Sequence, residues 1–356
     1  PMSARATSVP GRPPDAYQAA QGVTLSSRVR LARNLRGVPF PDKASPETRA
    51  DVRRRVMEAS LRELPVQQVL EECTPLFRQQ LFEDHLISRN LLEKRPQSAV
   101  CMNESRTRAV MINEEDHLRI QALKTGLALR EAWADANALD DALEQRLDYS
   151  FSSSLGYLTS CPSNVGTGMR ASVLMHLPAL VLMNEMEPIM NGLSKIGLTV
   201  RGRWGEGTAA LGHMFQVSNQ LTLGMAETRI VADLEEIVKE IAGHEQNARE
   251  RLKRERTRFA EDLAARAEGI LTSARLMTTQ EALERLSELR LGIALGLTKK
   301  FDMPTVDRLL LDVQPAHLQA AVGRSMTGEE RDLERATRLR GELGRRPAKR
   351  LGKRTT

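Results

Sequence analysis

A glycine-rich run at residues 161–172 constrains the fold of this chain more than any other part of its sequence. The run reads Cys-Pro-Ser-Asn-Val-Gly-Thr-Gly-Met-Arg-Ala-Ser, and apolar residues lie on both sides of it, at 156–158 and 173–177. This order predicts a strand, a tight glycine turn and the start of a helix, an arrangement whose backbone N–H groups bind anions. The sequence contains no G-x-x-x-x-G-K-[ST] loop, so the cationic groups of a phosphate site must be arginines such as Arg170.

The composition is that of a globular protein, and it argues against nucleic-acid binding. Of the 356 residues, 41% are hydrophobic and 28% charged, while the 3% that are aromatic leave few side chains on which bases could stack. The formal net charge is +6, and the six basic residues of the segment 345–356 account for all of it. We therefore expect a solvated basic tail and no direct nucleic-acid binding by the rest of the chain.

The cysteines and the hydrophobic segments predict a cytoplasmic location. Cys73, Cys101 and Cys161 are far apart and form no C-x-x-C pair, which argues against a disulfide framework and against a zinc site. Residues 1–21 lack the apolar core of a signal peptide, and no stretch approaches the roughly 18 apolar residues of a membrane span. We expect neither membrane attachment nor a metal held by the protein.

The patterning predicts an α+β fold in which a mixed domain precedes an all-helical one. Strands are predicted at 108–113 and 197–201, and helices at 45–63, 129–147, 280–296, 304–322 with an interruption at Pro315, and 328–343. Between 226 and 276 the chain is rich in Glu, Arg, Ala and Leu and contains no proline. The predicted divisions are 1–21 for a flexible leader, 22–225 for the mixed domain, 226–344 for the helical domain and 345–356 for the tail.

Three further segments combine arginines, carboxylates or glycines in the mixed domain. In residues 25–33, strand alternation places Arg28 and Arg30 on one face and Leu25, Val29 and Leu31 on the other, although a solvated strand face is an alternative. Residues 113–120 contain three consecutive acids, which indicate a strand end or an acidic turn. Residues 201–208 follow a predicted strand, but their glycine spacing does not match a dinucleotide fingerprint.

Together the four segments resemble the phosphagen (guanidino) kinases. Their motifs S-S/T-R-V-R, N-E-E-D-H-x-R, C-P-[ST]-N-x-G-T-x-x-R-A-S and R-G-x-x-G-E occur here in order between about 23 and 230. The chain is most similar to the bacterial branch, the protein-arginine kinases, because it has an R-D-x-x-R-A motif at 331–336 and only a leader before Ser26. The resemblance implies a phosphagen-kinase-like catalytic domain, with a mainly antiparallel sheet flanked by helices, followed by a smaller all-helical domain.

The resemblance also implies an ATP site. Five arginines would surround the phosphates of MgATP: Arg28, Arg30, Arg119, Arg170 and Arg201. The Mg²⁺ ion would be held mostly by nucleotide oxygens and water. The other implied ATP-binding residues are Ser26, Ser27, Val29, His85, Ala171, Ser172, Val173, Leu174, Gly202, Arg203, Trp204, Gly205 and Glu206. His85 would lie near the adenine, and a structural role for this histidine is the alternative.

The phosphoryl acceptor implied by the resemblance is a guanidinium group. Glu115 and Glu206 would clamp its planar fork and favour loss of a proton, with Glu114 as a supporting acid. Cys161 would lie beside the guanidinium, either as a thiolate or as a merely buried thiol. A side chain presented on a protein would reach this site because no helical domain precedes Ser26.

The implied function is ATP-dependent phosphorylation of arginine side chains in proteins, in stress response and protein quality control. The modification would mark substrates for a Clp ATPase and protease or inactivate a repressor, and an activator protein is a possible partner. A second, allosteric site for phosphoarginine would comprise Arg331, Asp332, Arg335 and Ala336, for which intrahelical ion pairs are the alternative. The helical domain would form a homodimer.

Three alternatives stay open at this stage. The first is a kinase for a free guanidino compound such as arginine, which differs in the choice of acceptor. The second is a non-catalytic regulator that binds phosphoarginine, although the carboxylates and arginines of an enzyme are all present. The third is a nucleic-acid-binding protein, which deletion of residues 345–356 would inactivate.

Overall fold

The structure, a computed structural model, describes residues 22–93, 96–202 and 210–344. The strands within these residues are β1 (Thr24–Arg33), β2 (Val66–Val69), β3 (Ala99–Met102), β4 (Arg108–Ile112), β5 (Leu118–Thr125), β6 (Phe151–Ser152), β7 (Gly156–Tyr157), β8 (Met169–His176), β9 (Leu198–Gly202) and β10 (Met214–Asn219). Eight of them form one antiparallel sheet in the order β2-β3-β4-β5-β1-β8-β10-β9, and β6 pairs with β7.

The helices of the described residues confirm the predicted helical segments, with ends displaced by a few residues. They are α1 (Pro46–Ser60), α2 (Pro75–Glu83), α3 (Arg89–Leu92), α4 (Leu129–Glu144), α5 (Pro178–Leu182), α6 (Met186–Lys195), α7 (Glu227–Glu255), α8 (Thr257–Ser273), α9 (Thr279–Ala294), α10 (Met303–Asp312), α11 (Pro315–Val322) and α12 (Gly328–Leu343). Local signals explain several starts. In α12, Thr327 and Glu330 form a reciprocal capping box, and Pro315 occupies the first turn of α11.

One face of the sheet carries the main core. Val29 and Leu31 of β1 point into it, and α4 covers them with apolar residues spaced three or four apart, among them Ala132 and Ala136. Helix α7 packs against the same face, and its Leu234 belongs to the same cluster of buried side chains. Because α7 completes the core of the sheet, the predicted boundary near 225 does not separate two independent clusters here, and the domain limits stay a prediction.

Within the described residues, the opposite face of the sheet is covered towards its two sides. Helices α2 and α3 pack on β3 and β4 in one cluster that includes Met102 and Met111. Helices α8, α9, α10 and α12 form a second cluster that reaches Leu174 of β8. Between the two clusters, the strands β5, β1 and β8 carry polar and basic side chains. The predicted fold class, an α+β domain with a mainly antiparallel sheet followed by a helical region, is confirmed.

The helix predicted after the glycine-rich run is wrong. Residues after Gly168 form β8, a central strand of the sheet. Its apolar run resembles a helix because the strand is buried on both sides, with Val173 in the main core and Leu174 in the opposite cluster. The anion site therefore has no helix N-terminus at this point and depends on side chains.

The predicted position of Leu25 is also wrong. The pairing of β1 with β8 shifts register between Thr24 and Ser26, so that a β-bulge interrupts the alternation of side chains. Leu25 therefore joins the cluster of Leu174 on the arginine-bearing face, whereas Val29 and Leu31 face the main core as predicted.

Candidate active site

The five predicted arginines lie on one face of the sheet, here called the arginine face. Arg30 of β1 stands directly opposite Arg170 of β8, and Arg119 of β5 is paired with Ala32, two residues further along β1. Arg201 of β9 is paired with Gln216 of β10. Because cross-strand partners point to the same side, Arg28, Arg30, Arg119, Arg170 and Arg201 share one surface.

The arginine face has more positive charge than its own carboxylates neutralise. Burial, followed by the charges of Arg28, Arg119 and Arg170, lowers the pKa of Arg30 well below its usual value. Burial, and then Arg201 and Arg119, lower the pKa of Arg170 in the same way. The buried Nε atoms of Arg30 and Arg170 have no hydrogen-bond partner in the described part of the chain. A polyanion with several oxygens, such as a nucleotide triphosphate, fits both the charge and these donors.

Two adjacent carboxylates join this face at the turn between β4 and β5. Arg119 bridges them, with Nη1 at 2.9 Å from Oε2 of Glu114 and Nη2 at 3.2 Å from Oε2 of Glu115. Glu114 is buried and also accepts hydrogen bonds from the hydroxyl of Ser88 and the amide of Asn90. The side chain of Glu115 is 40% exposed. Glu114 is thus buried and Glu115 accessible, and both are paired with Arg119.

The rest of the turn is held rigidly. Asp116 accepts hydrogen bonds from the Asn34 side chain and from the backbone N–H of Ser160, both at 2.7 Å. His117 accepts from the N–H of Leu35 at Nδ1, so its Nε2 donates to a backbone carbonyl 2.9 Å away. Burial lowers the pKa of His117 to about 4, so the ring is neutral. The contact to Ser160 fixes the backbone next to Cys161 against this turn.

Residues 161–168, here called the glycine loop, are pinned between β1 and the segment after β10. A side chain at Gly166, where φ is 110°, would lie 2.4 Å from the carbonyl oxygen of Thr222. Gly168 approaches β1 as closely and also has positive φ, so both positions require glycine. Arg33 donates to the carbonyl of Thr167, and the backbone N–H of Thr167 donates to Thr222. In this loop Cys161 is half-buried, with Sγ 3.0 Å from the hydroxyl of Ser163.

A narrow cleft opens on the arginine face beside His85. Its lining residues are Ser26, Arg28, His85, Leu123, Ser172, Leu174 and Gln216. His85 has a φ of 60°, and its carbonyl accepts a hydrogen bond from Gln121 Nε2 at 2.9 Å. The cleft therefore places His85 and Arg28 along one surface, and we call it the His85 cleft.

Several predicted ATP-binding residues are not brought to this face. Ser27 is buried on the opposite side, where its hydroxyl donates to the carbonyl of Gly126 and accepts from Ala128 N–H. The side chains of Val29, Ala171 and Val173 belong to the main core, so only their backbone adjoins the site. The predicted residues Arg203, Trp204, Gly205 and Glu206 lie outside the described residues, whereas Gly202 ends β9.

The structure adds polar residues on β10 that had no assigned role. Gln216 accepts a hydrogen bond from Arg28 at 3.3 Å, and Ser218 accepts one from Arg170 at 3.1 Å. Their alternation with buried Val217 is the signal that places both on the arginine face. Arg33, by contrast, points away from it and is bound by Asp140 at 2.6 Å, with Tyr157 stacked 3.5 Å from its guanidinium carbon.

Comparison with known proteins identifies the family of this site. The family model described as ATP:guanido phosphotransferase, C-terminal catalytic domain, matches residues 54–248, more than half of the chain. The chain belongs to the ATP:guanido phosphotransferase family. A second model, described as Protein-arginine kinase McsB C-terminal domain, matches residues 257–353.

Relatives in this family match along almost the whole chain. A protein-arginine kinase of Symbiobacterium thermophilum is 47% identical over 330 residues, covering 90% of this chain and 93% of the relative. A protein-arginine kinase of Moorella thermoacetica is 44% identical over 325 residues, covering 89% of this chain and 93% of that protein. These proteins are similar to the chain across both the sheet and the helical region.

Solved structures of family members share the fold. Lombricine kinase superposes with a TM-score of 0.55 and 28% identity, covering 67% of this chain and 72% of that one. A duplicated taurocyamine kinase from Schistosoma mansoni, with bound transition-state analogue components, superposes with a TM-score of 0.59 and 28% identity. The alignment covers 65% of this chain and 34% of the duplicated enzyme, so this chain spans about a third of its length.

The R-D-x-x-R-A motif of this ATP:guanido phosphotransferase lies on α12 and ties several elements together. Arg335 is buried and donates to the carbonyls of Val313, after α10, and Met277, before α9. Its Nη1 is also 2.6 Å from Oδ1 of Asp332. Arg331 is half-buried and donates to the carbonyl of Met326, while Ala336 is in the core of the helical cluster. The motif thus contains the predicted intrahelical pair and also anchors α12.

The described residues contain neither a cluster of side chains suited to a metal ion nor a helix suited to crossing a membrane. Among them, no cluster of three or more His, Cys, Asp or Glu side chains has the geometry to hold a metal ion. In the same residues, no helix combines the length and the hydrophobicity that a bilayer crossing requires.

Proposed function

We propose that this chain catalyses the transfer of the γ-phosphoryl group of ATP to arginine side chains in proteins. The observation that carries the proposal is the facing pair Arg30 and Arg170, whose buried Nε atoms lack hydrogen-bond partners in the described residues, beside the accessible Glu115. The arginines supply charge for the phosphates, and the carboxylate supplies a base for a cationic acceptor. The two requirements of guanidino phosphoryl transfer thus adjoin one another.

The chemical step follows from this juxtaposition. A guanidinium is cationic and a poor nucleophile, so it must lose a proton as its nitrogen attacks the γ-phosphorus. Glu115 accepts that proton, the new N–P bond forms, and the bond from phosphorus to the bridging oxygen of ADP breaks. Arg119 holds the carboxylate in line while Arg30 and Arg170 stabilise the charge that develops on the phosphoryl oxygens. Glu206 is proposed as the second clamp on the acceptor.

Mg²⁺ is proposed to enter with the nucleotide. The ion would be held mostly by phosphate oxygens and water. When bound, the ion neutralises part of the charge between the β- and γ-phosphates. The chain's own contribution is then the set of arginines that surround the remaining oxygens.

A protein acceptor is proposed because the relatives that match nine-tenths of the chain are named protein-arginine kinases. The test is transfer of label from γ-labelled MgATP to an arginine-rich unfolded protein or to free L-arginine. We expect acid-labile label on the protein, absent with Glu115→Gln and retained with Glu104→Gln, an exposed carboxylate in the turn between β3 and β4. Label mainly on free arginine would establish the small-molecule kinase instead, and no transfer to either acceptor would contradict the proposed activity.

We further propose that Arg331 and Arg335, with Asp332, bind phosphoarginine at a second site on α12. The half-buried Arg331 provides a cation beside the anchored Arg335 and Asp332. Calorimetric titration with free phosphoarginine tests this: Arg331→Ala should abolish binding that Arg36→Ala leaves intact. Equal binding by both variants would leave the motif with its anchoring role only.

The cellular role is proposed as stress response and protein quality control in the cytoplasm. In this proposal phosphorylated proteins are delivered to a Clp ATPase and protease, or a repressor is inactivated when a basic side chain becomes anionic. The helical region is proposed to form a homodimer. Sedimentation of the full chain at micromolar concentration tests the dimer, which a purely monomeric profile would exclude.

A further inference from the structure

A cluster of exposed apolar side chains lies next to the glycine loop. Half of the ten large hydrophobic side chains that are exposed in the described residues belong to it, each between 46% and 56% accessible. We call this cluster the apolar strip, and its members are Phe151, Leu155, Ile196, Leu221 and Leu223. Scattered single hydrophobic residues are normal on a protein surface, whereas a contiguous group marks an interaction site.

The strip lines two adjoining depressions. One, of about 230 Å³, lies between the start of β9 and α7 and contains Ile196 and Leu221. The other, of about 390 Å³, lies beside the β6–β7 hairpin and contains Leu155 and Leu223. Met225 lines both, so that the two depressions form one continuous surface on either side of the segment 221–225.

Hydrogen bonds join this surface to the candidate active site. Thr222, between the two exposed leucines, donates through its hydroxyl to the carbonyls of Ser163 and Val165 at 3.0 and 2.7 Å. These carbonyls belong to the glycine loop. Ser160, directly before this loop, donates from its backbone N–H to Asp116 in the turn between β4 and β5. A polypeptide that presents an arginine to Glu115 would therefore have its neighbouring residues within reach of the strip.

The charge of the strip's surroundings also favours a basic polypeptide. The ionisable groups that line the two depressions, tyrosine apart, are Glu227, Asp233 and Glu236, all acidic, although the chain as a whole carries a formal charge of +6. Asp233 is paired with Arg229, and Glu227 accepts from the indole of Trp133 and lies 3.8 Å from Nη2 of Arg33. Among the described residues, no lysine, arginine or histidine lines either depression. A segment that contains arginine meets attraction here rather than repulsion.

We propose that the apolar strip binds the unfolded segment of a protein substrate on one side of the acceptor arginine. This inference rests on the proposed function and names its substrate class: arginines flanked by apolar side chains that a folded protein would bury. Leu221 and Leu223 contact the flanking apolar residues, and the acidic groups at the rim keep other cations of the segment near.

The test uses the full chain and two peptides that each contain one arginine, flanked by leucine and phenylalanine in one and by serine in the other. The variant is Leu221→Ser/Leu223→Ser, and the matched control is Leu61→Ser/Leu276→Ser, which alters two leucines of the same exposure outside the strip. We expect the wild type to prefer the apolar peptide by about tenfold in kcat/KM, as burial of one or two aliphatic side chains predicts. The strip variant should lose this preference through KM, with the serine-flanked peptide and the KM for ATP unchanged.

Each other outcome overturns the proposal in a recognisable way. If the wild type phosphorylates both peptides with equal kcat/KM, the strip does not select substrates, although the kinase activity is established. An unchanged preference in the strip variant does the same. If the strip variant differs from the wild type only in its sedimentation, the surface forms a contact with a second copy of the chain instead. If the wild type phosphorylates neither peptide, nor the unfolded protein, the proposed function itself fails.

Discussion

The imidazole of His317 in α11 is hydrogen-bonded to the carboxylate of Asp84, the residue directly before His85. Its Nε2 lies 3.1 Å from Asp84 Oδ1, and its Nδ1 lies 2.9 Å from Glu83 Oε2. Glu83 also accepts from the backbone N–H groups at the start of α11, and Arg106 is paired with Asp84 at 2.8 Å. The helical region thus holds the turn that presents His85 to its cleft, through the His317 imidazole and the backbone N–H groups at the start of α11.

This contact predicts a pH-dependent stability. Burial alone would lower the pKa of His317, but hydrogen bonds and the charges of Asp84 and Glu83 raise it from 6.5 to about 9. Because the folded-state pKa is raised, the stabilisation is complete below about pH 6.5 and is lost as the pH rises through about 9. We expect the free energy of unfolding to fall by ~3 kcal/mol across that window. Urea titrations should find this slope missing in His317→Gln and present in His244→Gln, an exposed histidine on α7.

The role of His85 can be decided by comparing nucleotide binding with stability. The imidazole lines the His85 cleft, while its backbone is held at positive φ by the Gln121 contact, independently of the side chain. If the ring contacts adenine, His85→Ala should raise the KM for ATP by roughly fivefold, or ~1 kcal/mol, and leave the melting temperature within about a degree. A lower melting temperature with unchanged KM would assign His85 the structural role. His244→Ala provides the control.

Adjacent Glu114 and Glu115 should respond differently to the same substitution. Glu114→Gln removes a buried charge that accepts from Ser88, Asn90 and Arg119, so we expect a loss of ~2–3 kcal/mol in unfolding free energy. Glu115→Gln should leave stability within about 0.5 kcal/mol, because the side chain is accessible, and lower kcat by ~100-fold or more. Chemical denaturation and initial rates on the same samples measure both. Similar stability losses in the two variants would contradict the division of roles.

The sequence predicts which residues belong to the site better than it predicts the contacts between them. The alternation of Arg28 and Arg30 in β1, and the caps at Ser45 and Thr327, are local signals, and the structure follows them. The pairing of Arg30 with Arg170 is set by strand register over more than a hundred residues, which local patterns do not contain.

The same limit explains why the roles of Glu114 and Glu115 are hard to distinguish from the sequence. Glu114 and Glu115 differ in role because Ser88 and Asn90, 26 and 24 residues before Glu114, bind one of them and not the other. The wrong helix after Gly168 has a different origin. A strand buried on both faces has no polar alternation, so its sequence pattern does not differ from that of a buried helix.

Arg30 offers the most direct test of the site, because function and stability should change in opposite directions. Its charge is buried beside three other arginines, so Arg30→Met removes both their repulsion and a buried donor that has no partner. We therefore expect the free energy of unfolding of the variant to be ~1 kcal/mol higher than that of the wild type. The same change should lower kcat/KM by about 100-fold, since one donor to the transferring phosphoryl group is lost.

Thermal unfolding with and without MgATP, together with initial rates, measures these two effects. ATP should raise the melting temperature of the wild type and of Arg54→Met, an exposed arginine of α1, far more than that of Arg30→Met. A variant that is less stable than the wild type and still responds fully to ATP would mean that Arg30 supports the sheet rather than the nucleotide. The pairing of Arg30 with Arg170 would then have to be explained by folding alone.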